Sequence, residues 1–386
     1  MEIRSIEPVL VTYPFEREPL SYCYVRVEAD GLVGWGEACD SFGCTYAGIV
    51  GKVVEDAYAP LVVGQELVAV EPLAERMRLF TRRRLGDQWV AVHARSAVET
   101  ALWDLFGKAQ GRSVSSLIGQ VRDRVAVYAS HTFLEEGDPA WHLELLAPVL
   151  ARGVKMVKVR IGPEWREDLA VLAAVRAGLP GDVEMTVDGS EIFTVPTALE
   201  VAAALSDLGV RWFEEPVPQV RRRAIDELVR RSPVAIAYGE HLFGLDDAID
   251  MLERGPIGVL QPDAATCGGI GPARAMAQLA AAYGARVAMH HAAGPVSLAA
   301  NLHVAATVHG VQAVEYSHVL RDGWEVGTGA AFGIDAIRDG CLDVPDAPGL
   351  GVGIDEELAA KYPYGIDPTR VAGSKGGLPD RFVGDR

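Results

Sequence analysis

Residues 156–161 read Met156-Val157-Lys158-Val159-Arg160-Ile161, and residues 183–188 read Val183-Glu184-Met185-Thr186-Val187-Asp188. Successive side chains of a strand point to opposite faces. One face of each segment is therefore apolar, and the other carries Lys158 with Arg160, or ends in Asp188. The same grammar recurs in Trp212-Phe213-Glu214, Tyr238-Gly239-Glu240, Gln261-Pro262-Asp263, Ala288-Met289-His290 and the segment ending in Glu315. From Lys158 to Asp188 the separation is about 30 residues, then about 26, 26, 23, 27 and 25 to Glu315, a strand-plus-helix period throughout. Strand candidates are 125–129, 156–161, 183–187, 212–214, 234–238, 258–261, 286–290 and 313–316, separated by segments rich in alanine and leucine. Eight strands alternating with helices predict an α/β fold closed as a parallel, TIM-type barrel rather than an open sheet.

Working outward, residues 3–38 read as a three-stranded meander turning at Asp30-Gly31, followed by helical patterns near 46–59, 70–82 and 92–110. Residues 1–120 are thus expected to form a small α+β domain, 121–320 the barrel, and 321–386 a Gly- and Pro-rich segment that returns to the first domain. Residues 375–386 are expected to be a partly ordered tail.

At 386 residues and roughly half apolar, the chain is globular and large enough for one sizeable core plus a smaller one. A formal net charge of −17, with no long basic run, argues against a nucleic-acid partner. The five cysteines are odd in number and lack CxxC spacing, so no disulfide framework or zinc clip is expected. No apolar run reaches membrane-spanning length. The expectation is a cytoplasmic protein with no membrane partner.

Catalytic residues of such barrels gather at the C-terminal ends of the strands, so the periodic polar series should converge on one mouth. Asp188, Glu214 and Glu240 would repel one another there unless neutralised. An oxygen-only set suits a hard divalent cation, with magnesium the first choice. Asp263 and His290, on adjacent strands at one height, permit a carboxylate to fix one imidazole nitrogen and leave the other as a base. His291 competes for that role, but alternation turns it toward the helices. Lys158 is a candidate partner for the acids. Arg160 stays protonated and suits a clamp rather than a base.

The ordered set Lys158-Val159-Arg160, Val187-Asp188-Gly189-Ser190, Trp212-Phe213-Glu214-Glu215-Pro216, Gly239-Glu240, Gln261-Pro262-Asp263, Met289-His290-His291 and Glu315-Tyr316 resembles the enolase superfamily, and within it the mandelate racemase group. Gly34-Trp35-Gly36-Glu37 and Ala101-Leu102-Trp103-Asp104 support the match. The resemblance implies a modified (β/α)7β barrel with an N-terminal α+β capping domain, and magnesium on Asp188, Glu214 and Glu240. It implies a substrate bound through its carboxylate to the metal, with Lys158 and Arg160 as substrate-binding residues, His290 oriented by Asp263 as base, and Glu315 as the acid facing the developing enediolate. It further implies a homo-oligomer, dimer or octamer, and specificity from segments 15–22 and 40–46.

Two positions depart from many relatives. Arg160 replaces the lysine that serves racemases as the second base, and Ser190 replaces an asparagine beside Asp188. Asp263 stands where muconate-lactonizing and dipeptide-epimerase members carry lysine, which favours the acid-sugar branch. One-sided elimination needs one base, so dehydration of an aldonate or aldarate to a 2-keto-3-deoxy acid is the leading expectation. The alternatives are a cycloisomerase of a sugar-acid lactone or anhydro-sugar acid, an epimerase using Lys158 or another residue as the opposite base, and a barrel that binds metal and sugar acid without turnover.

Overall fold

The computed structural model describes residues 1–14, 20–40, 43–255, 257–319, 324–330 and 332–365. The expected specificity segments lie partly, and the 375–386 tail wholly, outside the described residues.

The chain opens with an antiparallel meander of β1 (Ser5–Tyr13), β2 (Leu20–Ala29) and β3 (Leu32–Ala38), turning at Asp30-Gly31. Helices α1 (Ala47–Val53), α2 (Ala59–Val62), α3 (Glu71–Thr81), α4 (Val90–Gln110) and α5 (Val114–Ile118) follow. Helix α4 is buried over nearly its whole length because it lies directly on β3. A Cβ at Gly36 would stand 1.8 Å from the Ala97 carbonyl oxygen, so only glycine permits that approach.

Eight parallel strands then alternate with seven helices among the described residues. In order they are β4 (Arg124–Phe133), α6 (Pro139–Leu150), β5 (Met156–Arg160), α7 (Trp165–Gly178), β6 (Glu184–Asp188), α8 (Val195–Asp207), β7 (Trp212–Glu214) and α9 (Arg222–Arg231). They continue as β8 (Ala235–Tyr238), α10 (Leu245–Arg254), β9 (Val259–Leu260), α11 (Ile270–Ala282), β10 (Arg286–Met289), α12 (Pro295–Ala305) and β11 (Val311–Ser317). Each strand pairs with the next, and β11 pairs with β4, closing a (β/α)7β barrel. Its lower interior is filled by Tyr128, Met156 and Trp212 against Ala237, Val259, Ala288 and Ala313, bulky residues facing small ones.

The remaining chain adds β12 (Gly327–Gly329), β13 (Cys341–Asp343), β14 (Val352–Ile354) and α13 (Glu356–Ala359). Strand β13 pairs antiparallel with β4, and the segment then returns to the N-terminal elements, where Tyr362 packs 4.2 Å from Tyr13. No helix among the described residues is long and apolar enough to cross a membrane.

Buried carboxylates join the capping elements to the barrel. Glu37, at the end of β3, accepts the Gly294 and Ser297 N–H groups at 2.6 and 2.9 Å. Glu99 of α4 accepts those of Ile270 and Gly271 at 2.7 and 2.9 Å. Helices α11 and α12 begin with glycine at the cap position and have no local side-chain cap. The distant acids satisfy donors that would otherwise be orphaned.

Candidate active site at the barrel mouth

Lys158 and Arg160 share the inner face of β5, and both are buried. Lys158 Nζ stands 2.5 Å from Glu214 Oε1, 2.8 Å from Glu315 Oε1 and 3.6 Å from Asp188 Oδ2. Burial opposes its charge, but these carboxylates outweigh burial and hold the ammonium above its ordinary pKa. Arg160 Nε lies 3.1 Å from Asp188 Oδ2, and its Nη1 donates to the His131 carbonyl at 2.6 Å. Asp188 Oδ1 accepts the Ser190 N–H at 2.7 Å and the Ser190 hydroxyl at 3.3 Å, so the serine side chain keeps a bond to Asp188 here.

Asp188 and Glu214 are register partners on β6 and β7. Glu214 Oε2 accepts from Gln261 Nε2 at 2.6 Å and Trp212 Nε1 at 3.2 Å. Burial, with Asp188, Glu315 and Glu240 nearby, raises its pKa to about 7 against the pull of Lys158.

Glu240 also reaches the mouth, but not through the alternation expected of Tyr238 and Glu240. Ala235 and Ala237 line the barrel interior, whereas Tyr238 turns outward and bonds Val217 through its hydroxyl. Gly239 breaks the parity. Its φ is +157°, and a Cβ there would fall 2.4 Å from the Gln261 nitrogen. The strand end crowds its neighbour at that residue, and the following side chain swings to the mouth.

The sequence-predicted dyad forms. His290 Nδ1 lies 2.9 Å from Asp263 Oδ2, and Nε2 faces Glu240 Oε2 at 3.3 Å and Glu315 Oε2 at 3.9 Å. Burial alone would lower the His290 pKa, but Glu240, Glu315 and Asp263 push it up to about 10. Burial would likewise raise Asp263; the His290 bond and the Ala265 N–H hold it below its ordinary value. His291 is turned away, with Nε2 at the Gly294 carbonyl, 3.1 Å off.

Glu315 Oε2 accepts from the Tyr128 hydroxyl at 3.0 Å. Burial favours its neutral form, yet Lys158, His290 and Arg160 overcome this and hold it well below the usual carboxylate range. Sequence reasoning missed Tyr128, Gln261 as a donor to Glu214, and Asn301, which bonds Asp263.

A second cluster flanks the mouth. Ligand atoms of Glu191, Glu215 and His241 lie within 4.8 Å of one another, whereas those of Asp188, Glu214 and Glu240 are not drawn that close together. His241 Nδ1 stands 3.4 Å from Glu215 and 3.9 Å from Glu191, and its Nε2 is 3.6 Å from Glu240. Burial opposes protonation, but these acids raise its pKa to about 10, so an imidazolium serves as the cluster's cation. Trp89, at φ +50° just before α4, covers it with ring centres 5.2 Å apart. The donor chemistry of Asp188, Glu214 and Glu240 fits a hard divalent ion; in this arrangement Lys158 supplies the positive charge between two of them.

Comparison with known proteins agrees with this architecture. Residues 142–358 match the model described as enolase C-terminal domain-like, and residues 6–119 that of the mandelate racemase / muconate lactonizing enzyme N-terminal domain. A D-galactarolactone cycloisomerase from Agrobacterium fabrum is 28% identical over 94% of this chain and 99% of its own. An arabinonate dehydratase from Saccharolobus solfataricus is 30% identical over 89% and 91%. The crystal structure of a 3,6-anhydro-D-galactonate cycloisomerase from Zobellia galactanivorans superposes with a TM-score of 0.82, at 26% identity over 94% of this chain and 99% of that one. By fold, by the order of its polar strand ends and by these matches, the chain belongs to the mandelate racemase / muconate lactonizing enzyme family of the enolase superfamily.

Proposed function

We propose that the protein abstracts the proton α to the carboxylate of a sugar acid and eliminates the β-oxygen, dehydrating an aldonate or aldarate to a 2-keto-3-deoxy acid. The observation that carries this reading is the His290–Asp263 pair, 2.9 Å apart, with His290 Nε2 turned into the mouth and Arg160, rather than a second lysine, at the end of β5. Asp263 holds the proton on Nδ1; Nε2 also carries one while Glu240 and Glu315 face it as free carboxylates, and it becomes the base once those acids are neutralised and that proton leaves. It breaks the Cα–H bond, and the electron pair moves into an enediolate. The imidazolium then gives that proton to the departing β-hydroxyl as the C–O bond breaks. Water leaves, and the enol becomes the keto acid. Lys158 and Arg160 lie where they can offset the substrate carboxylate, and Glu315, backed by Tyr128, faces the developing charge. For Glu315 to donate to an enediolate oxygen it must first gain a proton, which competition by the substrate carboxylate for Lys158 favours.

Asp188, Glu214 and Glu240 would hold a magnesium ion, which supplies charge stabilisation for the substrate carboxylate and the enediolate. A second reading rests on the cycloisomerase relatives: the same base acts on a lactone or anhydro-sugar acid and a ring C–O bond breaks instead. Five free cysteines among the described residues fit a reducing cytoplasm, and a homo-oligomer follows from the family resemblance.

A magnesium-supplemented panel of aldonic and aldaric acids, with their lactones and anhydro forms, tests both readings by mass. Dehydration gives a 2-keto acid lighter by one water, cycloisomerisation an isomer of unchanged mass. Absence of any 2-keto acid from the open-chain acids rejects the leading reading.

A further inference from the structure

Asn301 lies fully buried on α12, with each of its polar atoms committed at the dyad. Its Oδ1 accepts the Ala264 N–H at 2.9 Å. That bond forces the amide's orientation, so Nδ2 must face Asp263. Nδ2 donates to Asp263 Oδ1 at 2.9 Å and to the His290 carbonyl at 3.1 Å. Oδ1 of Asp263 also accepts the Ala265 N–H at 2.8 Å, which leaves Oδ2 for the imidazole.

These bonds act where the barrel's own ladder has ended. The pairing of β9 with β10 stops at Leu260–Val287, before either member of the dyad. Beyond it a single backbone bond, His290 N–H to the Pro262 carbonyl at 3.2 Å, links the two segments. An aspartate held through one oxygen would still turn about its terminal torsion, which is broad for such side chains. Asn301 sits one turn beyond the residues that Glu37 caps, so its helix is itself anchored.

We infer that Asn301 is a positioning residue for proton abstraction: it clamps Asp263 and the main chain of His290 together, so that the imidazole meets the substrate in one tautomer and one orientation. This rests on the reading of His290 as the base. Partners that orient a reactive side chain commonly contribute ten- to a hundredfold, and small misplacements of reacting groups cost as much.

The test uses the full chain with magnesium and the variants Asn301→Asp, Asn301→Leu and His290→Asn. Asn301→Asp keeps the volume and the acceptor for Ala264 but sets a carboxylate against Asp263. Both Asn301 variants are expected to lose ~10–10²-fold in kcat with KM changed less than about threefold, and to slow α-proton exchange into deuterated solvent equally. Magnesium affinity and the folded fraction are expected to stay at wild-type values. Full kcat in Asn301→Asp overturns the inference, as does a loss that merely tracks the folded fraction in both variants. If His290→Asn itself keeps its rate, the base assignment fails; if it is inactive while Asn301→Asp runs normally, only the positioning role fails.

Discussion

Arg160 Nε stands 3.1 Å from Asp188 Oδ2, on the neighbouring strand and in register with it. At the position where racemases of this family carry a second base, the mouth thus holds an ion pair whose cation does not deprotonate near neutral pH. Arg160→Lys cannot reproduce both the Asp188 contact and the bond to the His131 carbonyl. Elimination kcat/KM is expected to fall ~10–10²-fold, the equivalent of one charge-assisted hydrogen bond. In deuterium oxide the variant's recovered substrate should gain label with inverted configuration, as an amine now stands at the second-base position. Inversion already present in the wild type would contradict the one-base reading.

Lys158 neutralises acids buried around it, so Lys158→Met should take the nearest cation from Glu214 and from Glu315, which keeps only Arg160 and His290 farther off. Breaking a buried pair in this way costs about 3–5 kcal/mol. Magnesium binding at the acids would offset part of that loss. Thermal unfolding with and without magnesium should show a larger metal-dependent rise in Tm for the variant than for the wild type. Equal rises would argue that the metal does not sit beside Lys158.

His290→Asn should reduce turnover by ~10²–10⁴-fold, the usual contribution of a positioned base. His291→Gln should not, because its ring is turned from the mouth toward the Gly294 carbonyl. Steady-state rates of the two variants on one substrate separate these neighbours. A greater loss in the His291 variant would reverse the assignment.

Glu37 carries a pH signature. Burial lifts its pKa from an ordinary 4.5 to about 8, although the Ser297 and Gly294 N–H groups pull the other way. The folded state therefore holds this proton more tightly than the unfolded chain does. Its contribution to stability is complete below about pH 4.5 and is lost as pH rises through about 8. Denaturant midpoints measured from pH 6 to 9 should decline in the wild type and less so in Glu37→Gln. At pH 6 the variant should be weaker by ~1–3 kcal/mol, because the new amide sets a donor against a helix N–H.

Much of this arrangement was readable in residue order. Lys158, Asp188, Glu214 and Glu315 lie at strand positions that alternation turns inward, while Asp263 and His290 continue that parity past the last ladder pair of β9 and β10. Glu240 arrived for a different reason, because Gly239 breaks the alternation of β8; a close approach between strands leaves no local trace beyond the glycine itself. Tyr128 went unnoticed because β4 presents a neutral phenol where the other strands present charge. Asn301 belongs to a helix, outside the strand period. Its one signal was an amide within the otherwise apolar Leu298–Leu302 turn of a helix buried on every side. Glu37 and Glu99 meet their partners 171 or more residues away, and no spacing rule reaches that far.

Those last two acids bear on how the molecule assembles. Ile270, Gly271, Gly294 and Ser297 would each present a bare N–H in apolar surroundings if the N-terminal residues were absent. The first part of the chain to be synthesised therefore waits for the last third before its own buried acids are satisfied. Capping layer and barrel should melt together in a single cooperative transition, and an excised barrel would inherit a defect at the two helices that flank its proposed base.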